Sequence, residues 1–248
     1  MAMSIPKPVI RYQNTVQGMF VRRLNRFVAE VLIDGNVEKV HIKNTGRLKE
    51  LLVPDAKITL QKASDPNRKT AYDLISVYKS GLNWVNIDSL APNALMKQQL
   101  LCMNYDVVRP EYTYGDSRFD FYMERHGKRY LTEVKGCTLA ADLSQGTGLF
   151  PDAPTERGVR HLEELARAAG EGYACQIAFV IQMNGIGRVL PNDQTQPAFR
   201  QALEKAAKAG VRVLCYRCRV EADSIEITDF VEDTERYRQG RQAMQSQP

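Results

Sequence analysis

The sequence predicts a two-domain protein of mixed α and β class: a small N-terminal β-barrel followed by an α/β domain on a mixed sheet. Three observations predict it. The first 90 of the 248 residues read as short strands divided by turn signals. From Pro92 the texture changes, and runs of helical period interleave with strand-like runs. Charge divides at the same place: residues 1–90 hold 14 Lys/Arg against 8 Asp/Glu, and residues 91–248 hold 20 against 21.

In the first part the strand-like runs are FVRRLNRFVAEVLID, VEKVHIKN, KITLQKA, YDLISVY and LNWVNI. Turns fall at Asp34-Gly35, Asn44-Thr45-Gly46, Asp65-Pro66-Asn67 and Ser80-Gly81. Five short strands over about 70 residues suit an OB-like β-barrel, the commonest small barrel that binds oligonucleotides. A generic antiparallel barrel with another role is the alternative. The basic excess of this part favours a polyanionic partner such as nucleic acid, although such an excess also suits a plain solvated surface.

In the second part PNALMKQQLLCM has helical spacing, and strands are expected at Tyr105–Tyr114, Phe119–Glu124 and Arg129–Val134. A Gly/Thr/Asp-rich loop follows, then a helix over Thr155–Ala169 stopped by Gly170 and the strand YACQIAFVIQM. A helix over Pro197–Ala209 ends at Gly210 and leads into VRVLCYRCRV. The expected order is α-β-β-β-α-β-α-β. The expected boundaries are 1–90 for the barrel, 91–232 for the α/β domain and 233–248 for a polar tail, frayed or marginally helical.

Composition excludes several classes. At 44% hydrophobic and 25% charged, no apolar run approaches the roughly 18 residues of a membrane span. The start MAMSIPKP has no apolar leader, so a cytoplasmic location is expected. Five cysteines, an odd number, argue against a disulfide framework. The single CxxC, Cys215 to Cys218, sits in a strand-like run and reads as two buried thiols rather than a zinc site.

The chemistry concentrates in FDFYMERHGKRYLTEVK. A tight turn at His126-Gly127 pairs Arg125 with Lys128, and counting outward sets Asp120 opposite Glu133 and Arg118 opposite Lys135. Glu133, Lys135 and Leu131 share one face because strand side chains alternate. Two carboxylates facing each other destabilise a sheet unless one is protonated or a cation lies between them. Asp120 and Glu133 are therefore candidate ligands for Mg²⁺ (or Mn²⁺), which takes one or two carboxylates plus waters and phosphate oxygens. Lys135 is placed to orient a water or hydroxide and to offset charge developing on a phosphodiester. The competing reading is a structural cluster in which Arg118 and Lys135 neutralise the two acids. A hairpin followed by a helix is the layout of the PD-(D/E)XK nuclease core, which favours the metal site.

These residues resemble the sugar fermentation stimulation protein A family. The similarity runs from about Arg22 to Phe230, through RRLNRFVAEV, IKNTGRL and SDPNRKTAYDL, then SRFDFYM, TEVKGCTL and FPDAPTERGVRHLEEL. The resemblance implies an N-terminal OB-like domain and a PD-(D/E)XK nuclease-like C-terminal domain, with DNA binding and an inferred DNA or RNA nuclease activity. The family name records a link to regulation of sugar metabolism. Position by position, the resemblance implies Asp120, Glu133 and Lys135 as the catalytic set.

It also draws attention to the helix after PDAPT. There Val159, Leu162, Leu165, Ala166 and Ala169 form an apolar stripe, and Arg157 and His161, four apart, share another face that can meet a phosphate. Both also read as plain surface residues. Asp152 reads as the helix N-cap. Where nucleases of this architecture carry an acid in the helix before the hairpin, this chain has Gln98 and Gln99, and Phe119 replaces the usual Pro. In the barrel, Arg22, Arg23, Arg26, Arg68 and Lys69 are candidate phosphate contacts, with Asn44 and Thr45 in a turn able to hold a phosphate. Phe27 and Trp84 are possible stacking surfaces, Phe27 being read as core. The leading expectation is a nucleic-acid-processing enzyme. Its alternatives are a non-catalytic DNA-binding transcriptional regulator on a nuclease-like scaffold and a sugar-responsive binding protein.

Overall fold

The computed structural model describes residues 7–239. The first strand-like run divides in two. Strands β2 (Thr15–Arg23) and β3 (Val28–Ile33) form a hairpin where one strand was expected. Its turn has neither Gly nor Pro. Asn25 Oδ1 instead accepts the N–H groups of Phe27 and Val28 at 2.9 and 3.0 Å, an Asx turn that a search for Gly and Pro breakers misses.

Strands β4 (Asn36–Ile42), β5 (Lys57–Lys62) and β6 (Tyr72–Lys79) complete a closed five-strand barrel. Antiparallel pairs β2–β3, β3–β4, β5–β6 and β2–β5 are closed by the parallel pair β4–β6, which is OB topology. The run LNWVNI becomes β7 (Asn83–Asn86), which lies outside the ring on β6.

The second domain is a seven-strand mixed sheet in the order β1-β16-β15-β13-β10-β9-β8. Its parallel centre is β10 (Lys128–Cys137), β13 (Ala174–Ile181) and β15 (Arg212–Glu221). Antiparallel β8 (Val107–Tyr114) and β9 (Ser117–Arg125) flank one side, and β16 (Ser224–Glu232) flanks the other. The far edge strand β1 (Val9–Arg11) comes from the N-terminal stretch expected in the barrel, so the chain passes from this sheet into the barrel after β1.

Helix α1 (Ala91–Leu101) covers one sheet face, packing Leu95, Met96 and Leu100 with Val134, Ala178 and Val180. Helices α2 (Glu156–Gly170) and α3 (Pro197–Lys208) cover the other, with Leu162, Leu165, Phe199 and Leu203 against Leu131, Ile177 and Phe179. That second cluster is continuous with the barrel core. The loop after β10 holds β11 (Leu139–Asp142) and β12 (Thr147–Phe150), which form a small sheet with β14 (Arg188–Pro191).

Part of the expected tail is ordered. Residues Thr234–Gln239 form α4, and buried Tyr237 donates its hydroxyl to Val189 O at 2.8 Å. Residues 240–248 lie outside the described part. Cys215 and Cys218 are free and buried, in agreement with the sequence reading. No helix among the described residues is long and apolar enough to cross a membrane.

Candidate active site

The β9–β10 register runs from Arg125–Lys128 to Phe121–Thr132, as counted from the turn. Asp120 and Glu133 stand one step beyond the last bonded pair. There Asp120 ends the ladder, its Oδ2 accepting the Val134 N–H at 2.7 Å and its Oδ1 accepting Asn93 Nδ2 at 2.8 Å. Arg118 does not join them; it is exposed and pairs with Glu111 at 3.5 Å.

Glu133 is 3% exposed. Its Oε1 receives the Lys135 ammonium and lies 2.6 Å from His161 Nδ1. Its Oε2 is buried and has no hydrogen-bond partner. Burial alone raises a carboxyl pKa, but Lys135 and His161 outweigh it and hold Glu133 below its ordinary value. Asp120 goes the other way, raised by burial and by the charge of Glu133. Two adjacent carboxyls pushed apart in this way occur in catalytic sites and in structural ion-pair networks alike.

His161 is buried, not a surface residue, and contacts Phe119 edge-on at 5.7 Å between ring centres. Arg157, exposed one turn earlier, donates Nε to His161 Nε2 at 3.2 Å. An arginine can only donate, so Nε2 is the acceptor and Nδ1 carries the proton. The α2 N-cap is Thr155, whose hydroxyl accepts Gly158 N–H at 2.9 Å. Asp152, expected as that cap, instead reaches the barrel, where its Oδ2 accepts Arg47 N–H at 3.1 Å. A Cβ at Gly46 would lie 2.2 Å from that oxygen, so only glycine admits the contact.

The structure thus brings Asp120, Glu133, Lys135, Arg157 and His161 together. The helix residue that meets them is Asn93, not Gln98. Gln98 accepts Val9 N–H at 2.9 Å and donates to Val9 O at 3.2 Å, which fixes β1. Asn93 was missed because it precedes the apolar stripe of α1. Among the described residues no three His, Cys, Asp or Glu side chains converge as a ready metal cage. The oxygens on offer are Glu133 Oε2 and those of Asp120, a number suited to an ion that keeps waters and takes phosphate oxygens.

The barrel candidates separate. Arg23 spends its guanidinium on five carbonyl oxygens, those of Asn25, Arg26, Asn44, Gly46 and Arg47 at 2.7–3.3 Å, and is a structural clasp. Asn44 is similarly engaged, with Ile87 O and Gly46 N–H. Arg22 pairs with Glu30 at 2.7 Å, and Arg68 with Asp73 at 2.7 Å. Lys69 and Thr45 are exposed. Phe27, expected in the core, is 48% exposed at the β2–β3 tip beside Arg26. Trp84 is half-buried against Tyr78.

Between the domains lies a cleft of about 320 Å³, bounded by Arg26 and Thr45 of the barrel and by Pro92, Gly136, Asp152 and Gln182 of the second domain.

Residues 21–87 match the family model described as SfsA N-terminal OB domain, and residues 87–224 match the one described as sugar fermentation stimulation protein RE domain. A sugar fermentation stimulation protein homolog of Desulfitobacterium hafniense (strain DSM 10664 / DCB-2) is 45% identical over 225 residues, 90% of this chain and 97% of the relative. One from Ruminiclostridium cellulolyticum is 44% identical over 227 residues, 90% of this chain and 99% of the relative. Among solved structures, Pyrococcus furiosus SfsA in complex with Ca²⁺ is similar at a TM-score of 0.79 and 25% identity, over 91% of this chain and 98% of that one.

Proposed function

Because the chain belongs to the sugar fermentation stimulation protein family, with an OB barrel set against a two-carboxylate hairpin, we propose that it is a metal-dependent nucleic-acid hydrolase. The observation that carries this reading is Glu133 Oε2, a buried carboxylate oxygen without a partner next to the raised carboxyl of Asp120. Such an oxygen fits a hard divalent cation, because an unpaired buried acceptor is otherwise a pure desolvation loss. A Ca²⁺ complex of a protein with the same fold supports the choice of ion.

Asp120 and Glu133 would hold Mg²⁺ or Mn²⁺. Once bound, the ion supplies Lewis acidity toward a phosphodiester oxygen and lowers the pKa of a bound water. The chain's own groups divide the remaining work. Lys135 offsets negative charge at the site, Asn93 fixes the rotamer of Asp120, and His161 fixes that of Glu133 while orienting the Arg157 guanidinium, which suits phosphate.

The test is cleavage of labelled DNA and RNA oligonucleotides with Mg²⁺ or Mn²⁺ against a chelator. Glu133→Gln and Lys135→Ala are expected to lose at least 100-fold in rate, the order seen when a charge-stabilising group is removed. Ca²⁺ is expected to raise the Tm of the wild type but not of Glu133→Gln. Wild-type rates in both variants would overturn the reading. One observation favours the alternative, a DNA-binding regulator on the same scaffold: both Asp120 oxygens already have donors in Asn93 and Val134. A regulator binds DNA and cuts nothing with any of these ions.

A further inference from the structure

The cleft between the domains is sequence-adjacent to three of the four elements that carry the carboxylate site, β10, α1 and α2, though not to β9. Gly136 of its wall follows Lys135, Pro92 precedes Asn93, and Thr155 caps the helix that carries Arg157 and His161. We propose that this cleft is a subsite for one unpaired nucleotide, so that the substrate is single-stranded or locally melted nucleic acid. The inference deepens the hydrolase reading by naming the substrate class of the same site.

Volume is the first argument. About 320 Å³ sits at the low end of small-molecule sites, the scale of a single nucleotide. A base pair with both its backbones is larger than that. Enzymes that act at one nucleotide bring it out of the stack into such a pocket.

The lining chemistry is the second. Gln182 is 1% exposed, and its Nε2 donates to Asn86 Oδ1 at 2.8 Å and Asp88 O at 3.0 Å. That fixes the amide so that Oε1 faces Gly136, where an added Cβ would lie 2.3 Å from it. With Asp152, the second domain presents acceptors suited to the amino and imino edges of a base. The opposite wall is cationic. Arg26 is oriented by Nε donating to Thr45 O at 3.2 Å, and its terminal nitrogens face no acceptor among the described residues. Acceptors for the base and a guanidinium for the phosphate describe a nucleotide rather than a sugar or a peptide.

Continuity is the third. A shallower depression leads outward past Arg26, Gly46 and Arg47 to the β2–β3 tip, where Phe27 is 48% exposed. An exposed ring beside two arginines is the stacking-plus-phosphate arrangement that holds single strands without reading sequence.

The experiment measures binding apart from cutting, with Glu133→Gln protein and a chelator. Fluorescence anisotropy is read with a labelled single-stranded oligonucleotide, the corresponding hairpin duplex, and a nucleoside monophosphate as competitor. The single strand is expected to bind at least tenfold more tightly than the duplex. Thr45→Trp, which fills the cleft from an exposed position, and Phe27→Ala are each expected to weaken single-strand binding about tenfold with Tm unchanged. Equal affinity for duplex, unchanged single-strand affinity in both variants, or a mononucleotide as tight as the strand would overturn the proposal. Wild-type protein that prefers single strands but never cuts sinks the hydrolase and leaves the subsite standing. Cutting that favours duplex does the reverse.

Discussion

His161 donates its Nδ1–H to Glu133 at 2.6 Å while its Nε2 accepts Arg157, so one imidazole ties the central carboxylate to an exposed guanidinium. Replacing it loosens both ends. His161→Ala is expected to lower stability by about 1–3 kcal/mol, because it strips a buried charged acceptor of a donor. Cleavage should fall a further 10–100-fold, as for other residues that orient a metal-binding group. His161→Asn, whose amide can replace the Nδ1 donor, should recover most of the Tm and only part of the rate. Equal rates in the two variants would reduce His161 to packing.

The two carboxyls give opposite pH dependences. Asp120 is raised, so the folded protein holds a proton that the unfolded chain releases above its ordinary value of 3.8, and stability falls as pH climbs from there through the raised value. Glu133 is lowered, so its contribution is present above its ordinary 4.5 and is lost as pH drops toward the lowered value. Without metal, Asp120→Asn should raise Tm near neutral pH and flatten its decline above pH 4. It should also remove any Ca²⁺-induced rise in Tm. Thermal melts across pH 3–7 with and without Ca²⁺ check both signs.

A third prediction concerns the helix facing the hairpin. Asn93→Asp places a carboxylate against Asp120 and is expected to tighten metal binding, read by titration calorimetry, while lowering metal-free stability. Gln98→Glu adds the same charge where it only loses the donor to Val9 O. It should cost about 1–3 kcal/mol and leave metal affinity unchanged.

The domain contact is tested by a double-mutant cycle. Gly46→Ala drives a methyl into Asp152 Oδ2 and should lower stability by about 1–3 kcal/mol. In an Asp152→Ala background the penalty should shrink, although Asn44 Oδ1 at 2.9 Å from the added carbon retains some of it. Additive effects would mean that the two residues do not touch in solution.

Much of the site was legible because strand alternation and a Gly turn are local rules. His126-Gly127 alone fixes the register that leads to Asp120 and Glu133. The barrel's strand division was not legible, because Asn25 makes the turn with a side-chain acceptor inside a strand-like run that no Gly or Pro interrupts. Phe27 was misplaced with it, since its facing was counted along a strand that ends at Arg23. Asn93, Gln182 and Asp152 lie outside local rules altogether. Each acts on a partner 27 to 105 residues away, and only the folded topology chooses such partners.

Strand β1 passes from the second sheet into the barrel, and the chain returns through residues 86–91, so two covalent crossings join the halves. Tyr12 on the first crossing bonds Asn86 and Asp88 on the second, at 3.0 and 3.3 Å. A body hung on one thread swivels, whereas one sewn at two knotted threads does not. Two such ties favour a gap of set width between barrel and sheet, and the single strand proposed above would then thread into it rather than be gripped by closing jaws. A fragment beginning at residue 87 would lose its outermost strand and leave β16 as a bare edge for other chains to pair with.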